Sequence, residues 1–265
     1  MITVVLVLLG GINLANLKGI TIGFDFDDVL TNTVVYEYEM LKKWLVEEEK
    51  IGNFIIRWNQ DANTLEGRYP GLTSVQLKRF NLWYFPKMVK ECPFSEYVKE
   101  LFDALHELGA KVYIVTRRNE YEEKYEYTGP MMRQDTENRL RESKISYDRI
   151  FFSCFNKLDV MEKNHIDMLV DDSLINIFQV SQKKPIIVMD RPWNKHIVGE
   201  RIYHVSSLNP KIFIPLIHNI LVENSANKDE SKTLRSLLSP ETASDAMYFD
   251  DVELLVPNDE MKGEE

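Results

Sequence analysis

An apolar run that leads directly into a cluster of acids constrains this chain more than any other feature. Residues 20–24 have the composition of a short buried strand, and Asp25, Asp27 and Asp28 follow at once. Side chains alternate along an extended chain, so Asp25 and Asp27 are predicted to project to the same side. Two carboxylates that close repel each other unless a cation lies between them or one stays protonated. The pattern favours Mg²⁺-assisted chemistry, although D-x-D-D also occurs in solvated turns and Ca²⁺-binding loops.

Three further strand-like runs also end in polar residues. Residues 111–115 end at Thr116, residues 150–154 are followed by Lys157, and residues 166–170 end at Asp171 and Asp172. Helical patterns lie between these runs, which predicts a parallel sheet with right-handed crossovers. In such a sheet the carboxyl ends of the strands form the ligand crevice. The sequence therefore predicts an α/β fold, a Rossmann-like parallel sheet with helices on both faces.

These motifs resemble those of the haloacid dehalogenase-like phosphohydrolase superfamily. That family carries D-x-D after the first strand, Ser or Thr after the second, Lys before the fourth and an acidic pair at its end. The matching residues are Asp25, Asp27, Thr116, Lys157, Asp171 and Asp172. The V-D-D-S form of the last motif and the segment at 189–194 are most similar to the 5'(3')-deoxyribonucleotidase branch. The resemblance covers residues 18–222, with one departure at Asp28, where many relatives carry Gly.

The resemblance and the chemistry of the residues together imply a division of roles. Asp25 is the candidate nucleophile, and Asp27 is the candidate acid that protonates the leaving oxygen and then accepts a proton from water. A free Asp titrates near pH 4, so Asp27 is expected to be held protonated by its neighbours. Thr116 would donate a hydrogen bond to a phosphoryl oxygen. Lys157 would balance negative charge, unless it is a surface lysine that caps a helix.

Magnesium is the expected cofactor, because it prefers oxygen ligands. Its protein ligands would be the Asp25 carboxylate, the Asp27 carbonyl and Asp171. Asp172 is expected either to orient those ligands or to act as an alternative ligand. Asp27 also favours phosphate transfer to water, because the dehalogenases and ion-pumping ATPases of the resembled superfamily lack this second acid.

The resemblance implies a 5'-nucleotidase that acts on (deoxy)nucleoside monophosphates through an aspartyl phosphate. The alternatives are a phosphatase of another small phosphometabolite or nucleic-acid end, and a non-catalytic phosphate-binding scaffold. Aromatic residues between the first two motifs are candidates to stack a base, or they form the core of that segment. A Pro-Trp turn near residue 192 either reaches the crevice or serves packing. The candidate substrate contacts are Arg117, Trp58, Trp83, Arg191 and Trp193.

Composition shifts divide the chain into four regions. Residues 1–17 form an apolar extension or an extra edge strand, and residues 18–33 with 91–222 form the α/β core. Residues 34–90 form a helical cap inserted between the first and second motifs. Residues 223–265 are expected to lack a fixed fold, because from residue 224 onward eleven acidic and four basic residues accompany little apolar content.

Charge and cysteine content exclude several classes of protein. The formal net charge is −10, which argues against a protein that grips a nucleic-acid polymer. The two cysteines, Cys92 and Cys154, lie outside any metal-binding spacing and cannot supply a disulfide framework. The apolar start of the chain is too short to span a bilayer and lacks the early basic residue of a signal peptide. We therefore expect a cytoplasmic protein with no membrane partner, and its oligomeric state is left open.

Overall fold

The computed structural model describes residues 16–121 and 126–237, with side chains described as far as residue 224. Within these residues six strands form one parallel sheet in the order β3-β2-β1-β4-β5-β6. The strands are β1 (Thr21–Phe24), β2 (Lys111–Val115), β3 (Arg149–Phe151), β4 (Met168–Asp171), β5 (Ile186–Met189) and β6 (Ile202–Val205). The predicted α/β fold with a parallel sheet is confirmed.

Helices fill the connections between the strands. They are α1 (Thr33–Glu47), α2 (Leu65–Arg68), α3 (Ser74–Glu91), α4 (Val98–Glu107), α5 (Gly129–Glu142), α6 (Lys157–Lys163), α7 (Leu174–Ser181) and α8 (Pro210–Leu237). None of the helices in the described part of the chain is long and apolar enough to cross a membrane.

The sheet is buried most deeply at its centre. Every residue of β1, β4 and β5 is buried, which is why these strands appear in the sequence as continuous apolar runs. Phe24 of β1 packs against Phe102 of α4 and Phe213 of α8, with ring centroids 4.8 and 5.8 Å apart. The edge strand β6 was not predicted. Its residues are half-buried except Val205, so it lacks the apolar run that marked the central strands.

The helical insertion expected between the first two motifs is present. Helices α1, α2 and α3 all lie between β1 and β2 in the chain. Their buried residues share one apolar cluster with residues of the sheet domain, including Leu41, Trp44, Phe80, Met132 and Phe152. We call residues 34–90 the cap, and its aromatic residues largely build its own core.

The two chain segments that enter and leave the cap are paired with each other. Thr31 and Phe94 form an antiparallel bridge. On either side of it, the amide of Asn32 donates to the carbonyl of Pro93 (3.1 Å), and the amide of Ser95 donates to the carbonyl of Leu30 (2.8 Å). The cap is therefore joined to the sheet through one short two-stranded connection.

Two of the predicted regions extend past the described residues. The apolar extension at 1–17 lies outside them except for its last two residues, and so does the acidic segment from residue 238 onward. Helix α8 continues to Leu237, past the expected helix end at residue 222. After Pro215 no proline or glycine interrupts this stretch, and such residues are the strongest helix breakers. The four-region division of the chain stays a prediction.

Candidate active site

The turn after β1 carries three acids in a fixed backbone conformation. The amide of Asp25 donates to the carbonyl of Val170 (2.8 Å), which extends the sheet ladder by one residue. The chain then makes a single wide turn over Phe26–Leu30, closed by the amide of Thr31 donating to the carbonyl of Phe26 (3.1 Å). Asp28 lies in the left-handed region at φ 58°, which Gly, Asn and Asp adopt most readily. The turn thus accommodates Asp28 where many members of the resembled family carry Gly.

Lys157 lies between two carboxylates at the centre of the site. Its ammonium is 2.8 Å from Asp25 Oδ1 and 2.7 Å from Asp171 Oδ2, and its side chain is fully buried. Burial alone would lower the pKa of Lys157, but the Asp171 and Asp25 carboxylates raise it above its ordinary value. Lys157 is therefore a buried, charged partner of both acids and not a surface lysine.

Three buried carboxylates meet at the ends of β1 and β4. Oxygens of Asp25, Asp171 and Asp172 lie within 4.8 Å of one another. Burial, followed by repulsion from Asp28, Asp171 and Asp25, raises the pKa of Asp172 well above its usual range. Burial raises the pKa of Asp25 to about 7, although Lys157 opposes the shift. Such a crowded set of oxygen donors fits a hard divalent cation such as Mg²⁺, which would offset the repulsion.

Asp171 and Asp172 differ in how many of their oxygens are already used. Asp171 accepts hydrogen bonds from the Ser173 amide (2.9 Å), from Lys157 and from Asn176 Nδ2 (2.9 Å). The Asp172 carboxylate accepts none from the part of the chain that the structure describes. Its main-chain carbonyl is instead held by Trp193 Nε1 (3.1 Å) and Asn194 Nδ2 (2.8 Å). Among the described residues, Asp172 is thus the carboxylate of this pair with fewer hydrogen-bond partners, and which of the two binds a metal stays a prediction.

Asp27 is engaged by an arginine that sequence reasoning missed. Arg118 donates Nε to Asp27 Oδ2 (2.9 Å) and Nη2 to Asp27 Oδ1 (2.8 Å), and Thr33 Oγ1 donates to Oδ1 (3.1 Å). Burial would raise the pKa of Asp27, but Arg118 and then Thr33 lower it below the ordinary value. The expectation that neighbours hold Asp27 protonated is therefore wrong for this arrangement. The sequence carried no local signal for this pair, because the two residues are 91 positions apart.

Thr116 lies directly after β2 and is buried. Its amide donates to the carbonyl of Phe151 (3.0 Å), and its own carbonyl accepts from the amide of Cys154 (2.9 Å), which fixes its backbone between two strand ends. Thr116 Oγ1 accepts from the amide of Arg118 (3.2 Å). As the sequence suggested, Thr116 and the acids occupy the same edge of the sheet.

The candidate substrate contacts are scattered. Trp58 stacks on Tyr38 within the cap at 4.4 Å between centroids, and Trp83 donates Nε1 to Glu48 at 3.1 Å. Arg117 is exposed, with its guanidinium 5.9 Å from the ring centre of Phe155.

The two residues of the Pro-Trp segment lie close to the acids instead. Trp193 is buried and serves to hold Asp172, which is the packing role kept as an alternative. Arg191 donates to the main-chain carbonyl of Asp28. Burial raises the pKa of Asp28 and of Asp172, and the charge of Arg191 partly opposes both shifts.

A cavity of about 790 Å³ opens in front of Asp27. Helix α3 of the cap contributes Asn81 and Phe85. Tyr127 contributes from the segment that leads into α5, and Met132 contributes from α5 itself. The rings of Phe85 and Tyr127 meet edge to face at 6.0 Å. Arg117 also lines the cavity, whereas Trp58 and Trp83 are not among its described lining residues.

Comparison with known proteins gives a likeness at the level of solved structures alone. No family model and no curated protein matches the chain. A haloacid dehalogenase-like family hydrolase from Xanthomonas campestris is 13% identical, with a TM-score of 0.49, over 78% of this chain and 98% of that one. A HAD-superfamily hydrolase of subfamily IA from Geobacter sulfurreducens is 14% identical, with a TM-score of 0.47, over 75% and 98%. CbbY from Rhodobacter sphaeroides, in complex with phosphate, is 13% identical, with a TM-score of 0.42, over 71% and 94%.

Many of the solved structures that are similar to this chain bear the name of the superfamily that its motifs resemble. At these identities and TM-scores the likeness does not bear on activity. The function is therefore inferred from the geometry of the site.

Proposed function

We propose that this protein is a Mg²⁺-dependent phosphomonoester hydrolase that works through an aspartyl phosphate on Asp25. The observation that carries the proposal is the buried ammonium of Lys157, which joins Asp25 to Asp171. The Asp172 carboxylate lies beside them and accepts no hydrogen bond from the described residues. The Asp25 carboxylate is thus available as a nucleophile, next to oxygen donors suited to a hard cation.

The residues divide the reaction into two steps. An oxygen of Asp25 attacks phosphorus, the bond from phosphorus to the ester oxygen breaks, and the alcohol leaves. Water then attacks the phosphorus of the aspartyl phosphate, which releases inorganic phosphate and restores Asp25. Uncatalysed phosphomonoester hydrolysis is so slow that the site must lower the barrier by about 20 kcal/mol or more.

Fixed charges and donors contribute most of that stabilisation. Lys157 would offset the charge of Asp25 and of the phosphoryl oxygens, and Thr116 Oγ1 would donate to one of those oxygens. Asp25, the Asp27 carbonyl and Asp171 or Asp172 would hold the metal, and we favour Asp172 because it has fewer hydrogen-bond partners among the described residues. Bound Mg²⁺ would neutralise negative charge on the phosphoryl group beside Asp25.

Asp27 serves both steps in the proposed mechanism. In its ionised pair with Arg118 it is ready to take a proton from the attacking water in the second step. In the first step it gives a proton to the leaving oxygen, so it must first have gained one. The proton that Asp27 accepts from water in the second step balances the one that it gives to the leaving oxygen in the first.

The substrate class we propose is a nucleoside monophosphate. The cavity in front of Asp27 supports an organic leaving group, because Phe85, Tyr127 and Met132 offer apolar and aromatic surface and Asn81 offers an amide. Base stacking is thus assigned to Phe85 and Tyr127 in preference to Trp58 and Trp83.

The two buried cysteines are unpaired, which supports our placement of the protein in the cytoplasm.

A phosphate-release panel tests the proposal. The full chain is assayed with and without Mg²⁺, and after EDTA treatment, on deoxyribonucleotides, ribonucleotides, sugar phosphates, an end-phosphorylated oligonucleotide and an aryl phosphate. We expect Mg²⁺-dependent release that is fastest for nucleoside monophosphates and absent in Asp25→Asn. Preference for a sugar phosphate or an oligonucleotide end would keep the hydrolase and replace its substrate. No release from any ester would leave only phosphate binding.

A further inference from the structure

The side chain of Arg118 is held from several directions behind Asp27. Only 2% of it is exposed. Besides its two bonds to Asp27, it donates Nη1 to Thr136 Oγ1 (2.7 Å), and its guanidinium lies 4.0 Å from the ring centre of Phe26. Nη2 also contacts Met88 Sδ at 3.4 Å. Arg118 therefore has little freedom to change its position.

Because Arg118 is held in place, it also restricts the orientation of the Asp27 carboxylate. A planar guanidinium that binds both oxygens of a carboxylate fixes the plane of that carboxylate, which a single point donor such as an ammonium cannot do. Thr136 anchors the arrangement to α5, because its hydroxyl also donates to the carbonyl of Met132 (2.7 Å). The Asp27 side chain is 30% exposed, and its open side lines the cavity. Arg118 supports the carboxylate from the protein side and leaves the cavity side open.

We propose that Arg118 is a positioning residue that aims the Asp27 carboxylate at the ester oxygen of the substrate. The inference rests on the proposed function, since it concerns the leaving-group step of that reaction. Two other roles make different predictions. An arginine that binds the phosphoryl group would change phosphate affinity, and a purely structural arginine would change stability and slow all substrates alike.

The leaving group separates these roles. An ester whose alcohol is strongly acidic departs with little help from a proton, whereas a poor leaving group needs a well-aimed donor. If the Asp27 carboxylate is no longer oriented toward the ester oxygen, kcat/KM should therefore fall most for esters with poor leaving groups. The value of kcat/KM reports the steps up to departure of the alcohol, and inhibition by inorganic phosphate reports binding of the phosphoryl group separately.

The experiment measures kcat/KM for a series of aryl phosphates with leaving groups of increasing pKa. It compares the full-length protein, Arg118→Lys and Thr136→Val, all with Mg²⁺. Arg149→Lys is the matched control, because Arg149 is exposed at the start of β3, outside the site. For Arg118→Lys we expect a loss of about a hundredfold for the poorest leaving group and less than about threefold for the best. Thr136→Val should shift the dependence in the same direction by less, and the control should match the parent.

Other dependences on the leaving group, or a change in phosphate binding, overturn the inference. An equal loss for all leaving groups indicates a structural role, and weaker inhibition by inorganic phosphate in Arg118→Lys indicates a phosphate ligand. If Arg118→Lys does not fold, Thr136→Val decides, because it keeps the Arg118–Asp27 pair and removes the hydroxyl that supports Arg118, together with the bond of that hydroxyl to Met132. A uniform loss in that variant also refutes the role. A parent protein that is inactive on every ester refutes the proposed function instead, which is a separate outcome.

Discussion

Replacing Lys157 by Met tests the electrostatic centre of the site directly. The substitution keeps a long side chain in a fully buried position but removes the ammonium that contacts Asp25 and Asp171. Asp171 retains hydrogen bonds from Ser173 and Asn176, so the loss falls mainly on Asp25, whose remaining donor is the amide of Phe26 (2.7 Å). The variant therefore leaves one buried carboxylate with little compensation.

The cost can be bounded. Removing one partner of a buried ion pair destabilises a protein by about 3–5 kcal/mol. This is a large part of the free energy of unfolding of an ordinary domain, about 5–15 kcal/mol. At about 2–4 °C per kcal/mol for a domain of this size, the melting temperature should fall by about 6–20 °C. Lys163→Met, an exposed lysine on the same helix α6, should change stability by less than about 0.5 kcal/mol.

Urea and thermal unfolding followed by circular dichroism, in EDTA, measure these differences. The double variant Asp25→Asn with Lys157→Met should recover at least about 1 kcal/mol of the loss, because the uncompensated carboxylate is then removed. The reasoning is refuted if the free energy of unfolding of Lys157→Met lies within about 1 kcal/mol of that of the parent, because breaking a buried ion pair should cost more. It is refuted equally if Lys157→Met costs as much in the Asp25→Asn background as alone, since the two residues would then be uncoupled.

Three further outcomes are expected. Asp25→Asn should lower turnover by about a hundredfold or more while the far-UV circular dichroism spectrum stays unchanged. Beryllofluoride with Mg²⁺ should bind Asp27→Asn but not Asp25→Asn, as measured by calorimetry. Asp28→Ala should lower the free energy of unfolding by about 2 kcal/mol, because it loses the hydrogen bond from the Val34 amide (2.9 Å) and tolerates positive φ poorly; Asp28→Asn should stay within about 0.5 kcal/mol. Deletion of residues 224–265 should keep phosphatase activity within a few-fold of the full chain. Loss of activity at every salt concentration would contradict the proposed boundary.

The central strands and the acids at their ends were predictable because their signals are local. A strand buried on both faces is a continuous apolar run, and Asp25, Thr116 and Asp171 each follow one directly. The half-exposed strand β6 carried no such run. Local signals therefore predicted the central strands and the polar residues at their carboxyl ends, but not the order of the strands in the sheet.

The pairing of Asp27 with Arg118 was not predictable, because the two residues are 91 positions apart. Nothing local distinguishes Arg118, which is buried, from Arg117, which is exposed. The same holds for the aromatic residues of α3: periodicity marks a helix but not which of its sides meets a cavity, so Trp83 was favoured over Phe85. The expected protonation of Asp27 failed for the same reason, since its partner was unknown.

The order of the strands also determines when the site can form during synthesis. β1 pairs with β2 and β4, which joins Thr21 to Lys111 and Ile22 to Met168. Contacts this distant in sequence slow folding, because each requires a long loop to close first. The Asp172 backbone is held by Trp193. A nascent chain that ends before Trp193 already contains Asp25, Lys157, Asp171 and Asp172, but it lacks the two side chains that hold the main-chain carbonyl of Asp172. The backbone of the acid cluster can therefore be fully fixed only after Asn194 has been synthesised.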